Sequence, residues 1–180
     1  MINISEYKTY WQNAATRNNA IGHVEGVEKH FSVFTPEEAL ASIKQMKYPY
    51  LAVELPEIRI NDSNSDNVRM LYNGGVLILD KAPQGDYVKI QAAFQNTFII
   101  AYQLLTKLYN DRRKANDIGT SSPESFLKHL DLQSISLLEV GPVFDGCFGW
   151  RINHQFNSPA NLDLVESEWT GETKWNFYNS

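Results

Sequence analysis

The chain has 180 residues, 43% of them hydrophobic and 21% charged, with a formal net charge of -5 and a pI of about 5.4. That length supports a sizeable core, and the acidic balance removes the attraction on which most non-specific nucleic-acid binding depends. The one cysteine, Cys147, excludes an intrachain disulfide, and the longest apolar cluster, Phe98-Ile99-Ile100-Ala101-Tyr102, is far short of the roughly 20 residues of a membrane span.

The opening residues, MINISEYKTYW, have neither the basic nor the apolar region of a secretory signal, so the expected location is cytoplasmic. Tyr7, Tyr10, Trp11 and Ala14 recur at helical spacing and predict a helix over Ile4–Arg17, with Ser5 as a cap. A loop follows, then a short strand over residues 29–34. Thr35-Pro36-Glu37-Glu38 is a strong helix start: Thr35 and Glu38 can form a capping box, and Pro36 sits where its missing N–H costs nothing. Pro49 ends that helix.

Residues 50–55 read as a strand that residues 57–60 extend past Pro56, which suggests an edge or a bulge. Asn61-Asp62-Ser63-Asn64-Ser65-Asp66-Asn67 is a polar loop without the glycine and glutamate positions of a calcium loop. The return strand, residues 68–80, is interrupted at Asn73-Gly74-Gly75, where a bulge or a second tight turn is expected. Its run Val76-Leu77-Ile78-Leu79 predicts burial on both faces.

Asp86 is the expected N-cap of a long helix over residues 87–114. Tyr87, Ile90, Phe94, Phe98, Ala101, Leu105 and Leu108 form one stripe, which Ala93, Thr97 and Leu104 widen. Ile99, Ile100 and Tyr102 lie off it, so a second layer or another subunit must cover them. Arg112-Arg113-Lys114 reads as the cation-rich end of this helix. After a short helix near Ser125, residues 135–143 and 148–156 form a hairpin about Phe144-Asp145-Gly146-Cys147. In its second strand Phe148, Trp150, Ile152, His154 and Phe156 alternate without a miss against Gly149, Arg151, Asn153 and Gln155. Beyond Pro159 the pattern is irregular but rich in rings: Trp169, Trp175, Phe177 and Tyr178.

The expected fold is therefore α+β: an antiparallel sheet of about four to five strands packed on one long central helix, with N-terminal helices. It reads as a single domain over residues 1–180: an N-terminal helical segment (1–48), a sheet-and-helix core (49–159) and an aromatic C-terminal tail (160–180).

No motif spells out a chemistry. His23, His30, His129 and His154 do not pair at metal-ligand spacings. Cys147 has Asp145 as its local neighbour, which opposes thiolate formation. The glycine-rich spots have neither a phosphate-loop ending nor a dinucleotide fingerprint, and there is no Gly-x-Ser-x-Gly elbow. No catalytic, cofactor-binding or metal-binding residue is assigned, and the reading leans away from an enzyme.

The order of elements resembles the small tail-completion or tail-terminator proteins of tailed phages and phage-derived particles. The resemblance rests on Tyr50-Leu51-Ala52-Val53-Glu54, the strand over residues 68–80, the helix over residues 86–108 and Phe148-Gly149-Trp150-Arg151-Ile152. Asp66-Asn67-Val68 and Cys147-Phe148-Gly149-Trp150-Arg151 are similar to segments of proteins from phage-like gene clusters. The resemblance implies a subunit without an active site or cofactor, acting by contacts with itself in a ring, commonly a hexamer, and with other particle proteins. The acidic charge and the short apolar runs predict no nucleic acid and no membrane as partner, and the resemblance adds the assembled particle to the cytoplasm as an expected location. The expected interface residues are Trp169, Trp175, Phe177 and Tyr178; their alternative is to fold back over their own sheet. The alternative function is a small-ligand-binding domain or enzyme with a pocket between sheet and helix, for which Trp150, Arg151 and His154 are the candidates. A third reading is an adaptor that binds one other protein through the tail.

Overall fold

The structure, a computed structural model, describes residues 2–27, 29–34, 46–61, 68–117 and 124–160. Trp169, Trp175, Phe177 and Tyr178 lie outside these, as does the helix start at Thr35-Pro36-Glu37-Glu38.

The fold is α+β. Helix α1 (Ile4–Arg17) is followed by strands β1 (Phe31–Phe34), β2 (Tyr50–Glu54), β3 (Glu57–Asn61) and β4 (Arg69–Lys81). Then come helix α2 (Tyr87–Asp117), a 3-10 turn (Ser125–His129) and the hairpin β5 (Leu130–Val143) and β6 (Cys147–Pro159). The strands form one sheet in the order β1-β2-β4-β6-β5. Strand β3 pairs with the first half of β4, and β2 with the second half. The sheet thus has six strands among the described residues, more than the four to five expected, because the two short segments flanking β2 both join it. All pairings are antiparallel except β1 with β2. A parallel pair needs a crossover of a dozen or more residues, and residues 35–49 supply that length.

Helix α1 turns Tyr7, Tyr10, Trp11, Ala14 and Ala15 inward, as its spacing predicts. Its cap is Asn3, whose side-chain oxygen accepts from the Ser5 amide at 2.9 Å; Ser5 itself lies inside the first turn. Asp86 does cap α2, accepting from the Lys89 amide at 3.1 Å. At 31 residues α2 is about 46 Å long.

Its buried stripe is rotated from the one the largest side chains suggest. Ala93, Thr97, Ile100, Ala101, Leu104 and Leu108 face the sheet, while Tyr87 is fully turned out and Phe98 is partly exposed. Small Ala93 and Ala101 let the helix approach closely. Phe94 and Phe98 instead flank it and pack against Trp150, with the Phe98 and Trp150 ring centroids 5.3 Å apart.

The main core lies between the helices and one sheet face. Leu51, Val53, Tyr72, Val76, Ile78, Ile152 and Phe156 meet Tyr7, Trp11, Ile100, Leu104 and Leu108 there. The other face has a smaller cluster in which Tyr50, Ala52, Leu77, Leu79 and Cys147 pack with Tyr48, Val140 and Phe144. The run Val76–Leu79 alternates between the two, so it is buried on both faces, as expected. Strand β4 runs straight through Asn73-Gly74-Gly75 in continuous register with β6, with neither bulge nor turn. No helix among the described residues is long and apolar enough to cross a membrane.

Candidate functional site

Gly74 and Gly75 sit where β4 changes partner from β3 to β2. Successive residues of a strand face opposite ways, so the two glycines clear space on opposite sides of the sheet. A Cβ on Gly74 would stand 2.8 Å from both His154 Nε2 and the Tyr7 hydroxyl. A Cβ on Gly75 would stand 2.6 Å from Arg151 Nε and run into the Glu54 carboxylate.

On the helix side, the Tyr7 hydroxyl and His154 Nε2 share a hydrogen bond of 3.0 Å. His154 is buried among Tyr7, Trp11 and Phe156. Burial pushes its pKa down to about 4, and the Arg151 guanidinium adds to the effect, so the ring is neutral at pH 7. Burial also raises the Tyr7 phenol well above its ordinary range. A neutral imidazole beside a protonated phenol fills a polar gap in the core without a charge.

On the other side, Arg151 and Glu54 form an ion pair of 2.5 Å. It lies in a crevice of about 450 Å³ lined also by Asn73, Gly74, Ser134, Asn153, His154 and Gln155. A second concavity, about 680 Å³, lies between α2 and the β5–β6 hairpin, with Phe94, Phe98 and Trp150 on its walls and Glu139 at its edge. The Trp150 indole N–H donates to the Phe94 carbonyl at 3.0 Å, which ties the hairpin to the helix.

The structure brings Arg151 and His154 to one polar crevice and leaves Trp150 outside it. Trp150 lines the apolar groove. Arg151 and Glu54 reach the crevice as a half-exposed pair, and His154, itself buried, lines it from the interior under α1. Four residues of strand, roughly 13 Å, separate Trp150 from His154.

Cys147 is buried, with Sγ 3.1 Å from the Tyr48 hydroxyl and 3.2 Å from the Phe144 carbonyl. Burial pushes its thiol pKa up, away from the reactive thiolate. Among the described residues no group of three or more His, Cys, Asp or Glu is arranged to hold a metal ion.

The outward surfaces differ from this tied-up interior. On α2, Ile99, Tyr102 and Tyr109 are exposed, with Tyr102 at 64%. On β3, Ile58 and Ile60 are exposed, and every residue of that strand faces solvent. Among the described residues β1 and β5 each carry no strand on their outer side. These apolar outer positions escaped the stripe that the sequence suggests for α2. Ile99 and Tyr102 had signalled them by lying off it.

No family model matches the chain. The search of curated proteins finds no match.

Proposed function

We propose that this chain is a structural subunit of a phage or phage-like particle, of the tail-terminator or head–tail-joining type. In this reading it acts through contacts among copies of itself and with other particle proteins. The observation that carries the reading is the contrast between interior and surface. The groups with chemical potential, His154, Tyr7 and Cys147, are buried: the Tyr7 hydroxyl bonds His154 Nε2, Cys147 Sγ bonds the Tyr48 hydroxyl, and His154 Nδ1 is left without a hydrogen-bond partner among the described residues. Large apolar side chains are instead turned outward on α2 and on β3. Single exposed hydrophobic residues are ordinary, but runs of them on one element mark contact surfaces. The order helix, strands, long helix, hairpin is also the order on which the resemblance to tail-terminator proteins rests.

Negative-stain electron microscopy of the purified chain, alone and mixed with a tube-forming phage tail-tube protein, tests the reading. Closed rings, or caps on tube ends, are expected. Tubes that grow to the same uncapped lengths with and without the chain, together with single small particles, contradict it.

The aromatic groove favours a second reading, a small-ligand site. A planar apolar molecule would stack on Trp150 between Phe94 and Phe98. Quenching of indole fluorescence that disappears in Trp150→Phe supports that reading; identical titrations in the two proteins contradict it.

A further inference from the structure

Helix α2 carries a second apolar pattern that the fold does not use. Val88, Ala92, Gln95, Ile99, Tyr102, Thr106 and Tyr109 follow one another at alternating steps of four and three. All are exposed. On a helical projection this stripe lies opposite the buried one centred on Thr97, Leu104 and Leu108. An alternation of four and three over three heptads has the spacing of a two-helix seam, here with Gln95 and Thr106 as its polar positions. Twenty-one steps at 1.5 Å make it roughly 31 Å long.

The same face lacks charge. Between Gln91 and Asn110 the only ionisable side chain with a formal charge is Lys107. It is turned away towards α1, where it pairs with Asp111 at 2.5 Å and lies over the Tyr10 ring. In a chain that is 21% charged, an exposed helical face with no charge over five turns is unusual. Depletion of charge at the centre is the compositional mark of an interface.

We propose that this face is a self-association surface, on which α2 of a second copy of the chain packs antiparallel about a two-fold axis between Ile99 and Tyr102. The proposal rests on the self-assembly part of the function proposed above and names one contact within it: the two-fold surface joins two copies, and a ring is closed by a separate head-to-tail contact. A net charge of -5 makes copies repel over most of their surface, so an uncharged face is where two can meet. An antiparallel match about that axis is also complementary in its central layers, with Val88 meeting Arg113 at the charged rim. Ile99 meets Tyr102 of the second copy, Gln95 meets Thr106, and Ala92 meets Tyr109. Apolar thus packs on apolar, a hydrogen-bonding amide on a hydroxyl, and small on large. The helix dipoles oppose one another as well. A parallel match would instead set Gln95 against Gln95 and Tyr109 against Tyr109, leaving the small Ala92 facing itself.

Light scattering on the full chain, on Ile99→Glu, on Tyr102→Glu and on the control Val27→Glu, which lies on neither α2 nor β3, tests the surface. All three positions are exposed, so the folded chain accepts the charge, and unchanged circular dichroism verifies that. At least a halving of the mass in both α2 variants, with Val27→Glu unchanged, is expected. An oligomer that survives both α2 variants overturns the proposed surface while leaving self-assembly standing. A wild-type chain that stays at 20.6 kDa overturns both.

Disulfide trapping tests the direction. Cys147 is buried and is the one natural cysteine, so the background is low. Chains carrying Gln95→Cys and Thr106→Cys together should form covalent dimers. Either substitution alone should not, because equivalent positions then lie roughly 16 Å apart along the axis, beyond the reach of a disulfide. Equal trapping by the single variants overturns the antiparallel arrangement.

Discussion

Tyr7 of α1 and His154 of β6 meet across the core, with the phenol oxygen 3.0 Å from His154 Nε2 and the bare backbone of Gly74 beside both. This contact fixes α1 on the sheet at the point where β4 exchanges β3 for β2. Its geometry depends on a missing side chain, which leads to the first prediction.

Gly74→Ala places a methyl group 2.8 Å from two buried polar atoms held by rigid rings. One ring must move and the hydrogen bond must stretch. A loss of about 1–3 kcal/mol is expected, as for other overpacked cores. At this chain length each kcal/mol lowers the melting temperature by about 2–4 °C. Calorimetry that finds Gly74→Ala as stable as the wild type contradicts the contact.

His154 couples stability to pH. Its folded pKa of about 4 lies below the ordinary 6.5, so between those values the unfolded chain binds a proton that the folded chain refuses. The contribution of the neutral ring is complete above pH 6.5 and is lost as pH falls towards 4, by roughly 3 kcal/mol at 1.36 kcal/mol per unit. His154→Gln keeps a partner for Tyr7 but does not titrate. Urea unfolding at a series of pH values should show a shallower decline for His154→Gln than for the wild type. Parallel declines contradict a buried neutral histidine.

Glu54 and Arg151 keep 30% and 35% of their side chains exposed, so their pairing is screened. A double-mutant cycle with Glu54→Gln and Arg151→Gln should give a coupling of about 1 kcal/mol or less, decreasing as salt is added. A coupling that salt does not change contradicts a pair open to the crevice.

Cys147 should resist a thiol reagent at about pH 8 in the native chain and react fully in urea, because its Sγ is buried and its pKa raised. Stoichiometric labelling of the native chain within seconds contradicts that environment.

The parts legible in the sequence are those set by local periodicity. Strand β6 alternates from Phe148 to Phe156, and from Ile152 onward its buried residues are the even ones that the alternation names, while Trp150 is half-buried and Gly149 is buried on the other face. The inward face of α1 follows from Tyr7, Tyr10, Trp11 and Ala14 in the same way. What local pattern could not supply was pairing between distant segments. Strand β1 is four residues long, and nothing in Phe31–Phe34 says that its partner, β2, lies beyond residues 35–49 and runs parallel. Gly74 and Gly75 suggest a turn because glycine usually marks one. Here they are needed because of what lies above and below the sheet, contacts from Tyr7 and Glu54 that are remote in sequence.

Helix α2 shows the limit of reading by size. Phe94 and Phe98 draw the predicted stripe towards themselves, yet the face on the sheet is the part that Ala93, Thr97 and Leu104 widen, together with Ala101, Leu108 and the off-stripe Ile100, since closeness of approach decides burial as much as hydrophobicity does. Trp150, Arg151 and His154 are close in sequence, yet only Arg151 and His154 line one crevice, because strand rise carries Trp150 away to the edge groove. The seam from Val88 to Tyr109 was visible only as Ile99 and Tyr102 lying off the stripe, and it separates from the core pattern once the buried face is known.

Self-association is the central claim, and the solution mass of the full chain across a range of concentrations tests it most directly. The expected result is a species of at least twice 20.6 kDa whose share grows with concentration. A mass of 20.6 kDa that stays constant to the highest concentration reached would contradict it.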